Sequence, residues 1–147
     1  MDPLQIKLTA LDQCSAPMIW SAPAASEDLD QFEVLTGISL PAPLRRLLLL
    51  TDGAELNVPG TRFYTLHPVL PSLFPQNLPG LLEAMDEYHD FMERGFFPLG
   101  ITSFGDPLFL VRATGEVVQW DHEADEEFLR WPDLESYLDD ELDACLS

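Results

Sequence analysis

FFPLGITSFGDPLFLVRATGEVVQWDHE, residues 96–123, carries more of the architecture than any other stretch of this 147-residue chain. Its apolar, aromatic and β-branched residues fall into three short runs, near 96–101, 107–112 and 116–121, of the composition strands favour. Gly105-Asp106-Pro107 and Thr114-Gly115 separate the runs. These residue types set turn φ values or bond back to the local backbone. Turns so short join antiparallel neighbours, and residues 113–115 predict a hairpin between the last two runs.

Upstream, GISLPAPLRRLLLLTDGAE (37–55) reads as a short helix entered through Pro41 and Pro43 and ended by Asp52-Gly53. Leu44, Leu47, Leu48, Leu49 and Leu50 cover more than one helix face, which predicts burial and sends Arg45 and Arg46 to solvent or an acidic neighbour. Before it, Ser26 is the expected N-cap of a helix that turns Leu29, Phe32 and Leu35 inward and exits at Gly37. After it come a Pro59-Gly60 turn, a strand RFYTLH (62–67) and a proline-rich loop up to Gly80. Leu82, Met85, His89 and Met92 form a helical stripe closed by Gly95. Pro132 opens a last helix with Leu134, Tyr137, Leu138 and Leu142 on one side; Asp133, Glu135, Asp139, Asp140 and Asp143 lie largely on the other. Residues 1–25 read as an extended N-terminal arm, partly docked through Met18, Ile19 and Trp20. Residues 26–147 then make a single α+β domain, mainly an antiparallel sheet with helices packed largely on one face.

Charge is the outlier. Twenty-six acidic side chains face seven basic ones, a formal net charge of −19, where small soluble domains carry a magnitude of about 2–8. From Asp121 to Ser147 eleven acidic residues accompany one Arg. This run reads either as a solvated helix face or as a recognition surface. Such a surface repels phosphate backbones and anionic membranes and favours a basic protein partner, so neither nucleic acid nor membrane is expected to bind. Cys14 and Cys145 have no CxxC spacing and fit a reducing compartment. The N-terminus lacks a continuous apolar run, and a cytoplasmic location is expected.

Motif by motif, catalytic and cofactor chemistry finds no support. Asp121-x-Glu123-x-Asp125 starts like a calcium loop but has Glu126 at the sixth position and Pro132 at the twelfth. His67, His89 and His122 lack zinc-site spacing, and neither catalytic residues nor a metal or cofactor is expected. Among carboxylates, His122 should have a raised pKa. Gly100 to Gly105 has the frame of a phosphate loop, but Asp106-Pro107 follows where Lys and Ser/Thr belong, so Asp106 reads as a turn cap. Trp120 borders the DHEADEE run and reads either as packed beneath the last helix or as an aromatic anchor with an acidic rim. A small hydrolase would need a compact pocket holding paired carboxylates of shifted pKa.

Taken in order, Gly37-Ile38-Ser39-Leu40-Pro41, the Leu-rich helix, Asp52-Gly53, Phe63-Tyr64, Phe97-Pro98-Leu99-Gly100, Gly105-Asp106 and Gly115-Glu116-Val117-Val118 leading to Trp120 resemble the SUKH superfamily. That superfamily includes bacterial immunity proteins and the fungal cell-wall-assembly regulator. Many members have Asn-Gly where this chain has Asp52-Gly53, and the first 25 residues have no counterpart. The resemblance implies a non-enzymatic protein that binds and neutralises a co-encoded toxin, often a nuclease, and it carries over no catalytic residue. The partner-facing candidates are Glu55, Asp86, Glu87, Asp90, Asp106, Trp120, Asp121, Glu123, Asp125, Glu126 and Glu127. The alternative is an intracellular scaffold or regulator that binds peptides or folded domains without any toxin.

Overall fold

The turns of residues 96–123 lie at the centre of a seven-stranded antiparallel sheet in which every strand neighbours the next in sequence. The computed structural model describes residues 2–13, 19–20, 22–56, 61–66 and 80–146. The readings of the Pro59-Gly60 turn, the proline-rich loop, Met18, Cys14 and His67 lie outside the described residues, as do the side chains of Ile19, Trp20 and Cys145. The strands are β1 (Ile19–Trp20), β2 (Ala54–Leu56), β3 (Thr61–Phe63), β4 (Phe96–Thr102), β5 (Pro107–Val111), β6 (Val117–Asp121) and β7 (Glu126–Trp131). The helices are α1 (Pro3–Asp12), α2 (Ser26–Thr36), α3 (Ala42–Leu50), α4 (Leu81–Glu87), α5 (His89–Glu93) and α6 (Leu134–Leu146). The α+β class and the three central strands are as the sequence predicts. Among the described residues no helix is long and apolar enough to cross a membrane.

Two irregularities shape the sheet. Between Pro98 and Gly100 the β4–β5 register slips by one residue, so Pro98, which lacks an N–H, sits beside a bulge. Gly100 is required there because a Cβ would lie 2.5 Å from the Arg62 carbonyl oxygen of β3. In β6–β7, Gln119 pairs with Leu129 and Trp120 with Glu127, leaving Phe128 as the extra residue of a second bulge. Strand alternation directs Phe97, Leu108, Leu110 and Val117 to one face, where they join the leucines of α1, α2, α3 and α6 in one buried cluster. Phe109 points to the opposite face, and Phe91 of α5 stacks on it at 4.6 Å.

Several sequence expectations are corrected. The first part of the arm is not extended. Asp2 accepts a bond from the Leu4 N–H at 2.9 Å, Pro3 occupies the first turn, and Leu4, Leu8 and Leu11 are buried. Their spacing of four and three is helical, and Lys7 of α1 pairs with Asp139 of α6 at 2.5 Å. The residue capping α2 is Ala25, with no side-chain bond, and Ser26 is the first helical residue. Gly37 does end that helix in the left-handed region at φ 69°. Leu35 is 77% exposed, because two steps of three carry it about 120° around the helix from Leu29. The 82–92 stripe is broken at Tyr88 into α4 and α5: Leu81, Ala84 and Met85 face inward, and Leu82 and His89 are exposed. Part of the acidic run is strand β7, not helix. Arg45 does meet Asp30 and Glu33, and Arg46 meets Asp2 and Glu135.

Candidate binding cleft

Asp106, buried at the end of the β4–β5 turn, organises the loop opposite it. Its Oδ2 accepts from Gln119 Nε2 at 2.8 Å, and its Oδ1 accepts from the His122 backbone N–H at 3.2 Å and meets His122 Nδ1 at 2.6 Å. It therefore clamps the β6–β7 turn to the β4–β5 turn and does not cap its own. Burial works to raise the Asp106 carboxyl, but the bonds from His122 and Gln119 outweigh it and hold the group below its usual range. The same bond, donated by His122 to Asp106, raises the His122 pKa, with Glu123 and Asp121 adding to it, in the direction its sequence context predicts. Asp121 closes the turn by accepting from the N–H groups of Glu123 and Ala124 at 2.9 and 3.0 Å.

Beside this clamp the sheet and α6 diverge, opening a cleft of about 680 Å³. Asp106, Gln119 and the 121–123 turn line one side, Tyr137, Asp140 and Glu141 of α6 the other, and Phe104, Phe128, Leu129 and Trp131 the remainder. Phe104, Phe128 and Leu129 are exposed, 75%, 59% and 44% respectively, far more than large apolar side chains with no external contact require. Trp131 packs edge-on against Tyr137 at 4.8 Å and donates its indole N–H to Asp140. Tyr137 shares a 2.6 Å hydrogen bond with Thr61 Oγ1 in the core.

Glu141 is the unusual member. It is only 7% exposed, and its Oε2 has no hydrogen-bond partner among the described residues. Burial, opposed by a bond with Tyr137 and reinforced by Asp140, pushes its carboxyl up from 4.5 to about 7. Buried carboxylates are ordinarily paired with a cation, but among the described residues no Lys or Arg lines this cleft. All seven Lys and Arg side chains are engaged elsewhere. Five of them form ion pairs, Arg94 lies over the rings of Phe91 and Trp120, and Arg112 lies over Phe97.

The structure gathers some of the eleven sequence candidates here and scatters the rest. Asp106, Asp121 and Glu123 line the cleft. Trp120 and Asp125 bond to each other at 3.0 Å, and Trp120 sits edge-on to Phe91 at 5.1 Å, so it belongs to the aromatic cluster under α5 and not beneath α6. Asp125 takes a left-handed turn conformation at φ 56°. Glu126 pairs in register with Asp121, and Glu127 is bound by Arg130 at 2.7 Å. Glu55 bonds to Arg62 at 3.1 Å beside a smaller hollow of about 280 Å³. Asp86, Glu87 and Asp90 are exposed on α4 and α5.

Sequence reasoning missed Phe104, Phe128, Leu129, Trp131, Asp140 and Glu141 as site residues. For Glu141 a signal existed. It follows Leu134 by seven residues and Tyr137 by four, which places it on the inward face of α6. Asp106, Asp121 and His122 hold ligand-type atoms within 4.8 Å of one another, but both Asp106 oxygens and His122 Nδ1 are already engaged in the turn clamp. Asp106 and His122 therefore act as a hydrogen-bonded clamp, and Asp121 holds its own turn.

A search of curated proteins finds no match to the chain. Residues 23–140, from the segment before α2 into α6, match the SMI1 / KNR4 family (SUKH-1). With that match covering most of its length and the α+β sheet in place, the chain belongs to the SMI1/KNR4 family of the SUKH superfamily.

Proposed function

We propose that this protein is a binding module of the immunity type, which occupies a basic surface of a co-encoded toxin and transforms nothing itself. The observation that carries this reading is the cleft. An acidic wall without Lys or Arg stands next to three exposed apolar side chains, Phe104, Phe128 and Leu129. Interfaces of high affinity combine an apolar anchor with a charged rim that steers the encounter. A net charge of −19 suits a partner whose own groove is positive. A nuclease is such a partner, since its groove must hold phosphates, and carboxylates can stand in for them. The protein is placed in the cytoplasm on this reading, where a toxin would first need neutralising.

The experiment is stopped-flow association with the toxin domain encoded beside this chain, across a range of salt. Charge steering lifts association rates toward about 10⁸–10⁹ M⁻¹s⁻¹ at low salt, so the on-rate should fall steeply as salt is added. An on-rate indifferent to salt, or full toxin protection by a chain carrying Asp121→Lys and Glu123→Lys, overturns the proposal.

A second reading has one observation behind it. A carboxyl raised to about 7 beside other carboxylates in one cleft is the arrangement a small hydrolase requires. Two of its neighbouring carboxylates, Asp106 and Asp140, are held by His122 and Trp131, which disfavours them as the second member of a catalytic pair. Turnover of a glycoside or ester by the pure protein, abolished by Glu141→Gln, would establish this reading and end the first.

A further inference from the structure

We infer that the cleft between β7 and α6 receives an arginine side chain of the partner protein, its guanidinium meeting Glu141 and lying against Trp131 and Phe128. This rests on the reading of the chain as a binder of a basic protein and names what that protein must present.

Three independent features of the cleft select this occupant. The first is charge: Asp106, Asp121, Glu123, Asp140 and Glu141 line it, and the nearest thing to a cation among the lining residues is His122, already held by Asp106. The second is the incomplete bonding of Glu141. The carboxyl is 7% exposed, has Tyr137 as its one donor and no Lys or Arg beside it, and its Oε2 has no partner among the described residues; once the side chain turns toward the cleft, a guanidinium supplies both the charge and the missing donors through paired N–H groups. The third is shape. Trp131 is held by its indole N–H bond to Asp140 and its contact with Tyr137, and Phe128 is pushed outward by the bulge opposite Gln119 and Trp120. Aromatic faces beside carboxylates suit a planar, weakly hydrated guanidinium better than the compact, strongly hydrated ammonium of lysine. The volume, about 680 Å³, lies within the ~300–1,000 Å³ of ligand-sized clefts, so backbone flanking the arginine fits as well.

Glu141 also lies just beyond the residues 23–140 that match the family. The feature is therefore read from this chain's own α6. The groups facing Glu141 from its own helix are Tyr137 and Asp140, and across the cleft stand Asp106, Asp121, His122 and Glu123.

The test uses the full chain, labelled with ¹⁵N, and three capped pentapeptides, Gly-Gly-X-Gly-Gly with X arginine, lysine or citrulline, at low salt. The Trp131 indole N–H is the reporter. The arginine peptide should shift it and bind roughly tenfold tighter than the citrulline peptide, a ratio equivalent to about 1.4 kcal/mol. Glu141→Gln should remove most of that ratio, and Glu27→Gln, at an exposed position of α2, should leave it intact. If Glu141→Gln does not fold, Phe128→Ala at its exposed position takes its place and should weaken the arginine peptide more than the lysine one. Equal binding of arginine and citrulline peptides, or an unchanged ratio in both cleft variants, overturns the inference. A salt-dependent toxin association that survives those peptide results leaves the proposed function standing; a toxin that does not bind at all removes that function without touching the peptide result.

Discussion

Replacing Glu141 by Gln should make this protein more stable at alkaline pH, an outcome opposite to that of most buried substitutions. Burial first, then repulsion from Asp140, raises the Glu141 pKa from 4.5 to about 7 against the bond from Tyr137. The folded protein therefore holds this proton more tightly than the unfolded chain does. The stability that follows is fully present below the unfolded value of 4.5 and is lost as pH rises through about 7. At about 1.4 kcal/mol per pKa unit, full ionisation removes about 3 kcal/mol, of which about 2 kcal/mol falls between about pH 5.5 and about pH 8.5. Gln fills the same space, keeps an acceptor for Tyr137 and has nothing to ionise. Urea unfolding of both proteins at the two pH values is the assay. The variant should gain about 2 kcal/mol on the wild type between them, or roughly 4–8 °C in Tm for a domain of this size. His122, Asp106 and Asp2 titrate in both proteins, so their contributions largely cancel in the comparison. A variant-to-wild-type difference that is the same at both pH values would refute the reasoning, because Glu141 would then be ionised or solvated equally in the folded and unfolded states.

Two further outcomes are expected. Asp106→Asn should lower the His122 pKa toward its ordinary range, since the carboxylate 2.6 Å from Nδ1 is its principal support; NMR titration of the imidazole reads this directly, and an unshifted His122 would mean the clamp is absent in solution. Leu8→Ala, at a fully buried position of α1, should cost about 2–5 kcal/mol in chemical denaturation, whereas a loss within error would show that α1 does not contribute to the core.

Much of the scaffold is legible one residue at a time because local chemistry specifies it. Gly37 marks a left-handed exit, Pro41 and Pro43 pre-set a helix entry, and Gly105 and Gly115 close short turns whichever strands flank them. The acidic surplus and the family likeness follow from the string of residues alone. Periodicity failed where a tertiary constraint overrode it: the bulge at Phe128 breaks the two-residue alternation of β7, and the break at Tyr88 resets the stripe of α4. Leu4, Leu8 and Leu11 carried a helical signal that the neighbouring Ala-, Pro- and Ser-rich segment obscured. The cleft belongs to a different category. Asp106, Glu123, Phe128 and Glu141 are spread over 36 positions of chain, and no spacing rule relates them. Composition established that this molecule is strongly negative, and the order of its patterned segments gave the α+β class. Which carboxylates line the cleft was decided by packing, because a carboxylate's meaning depends on what surrounds it. Arg130 neutralises Glu127, Trp120 engages Asp125, and Glu141 is enclosed with no Lys or Arg lining its cleft.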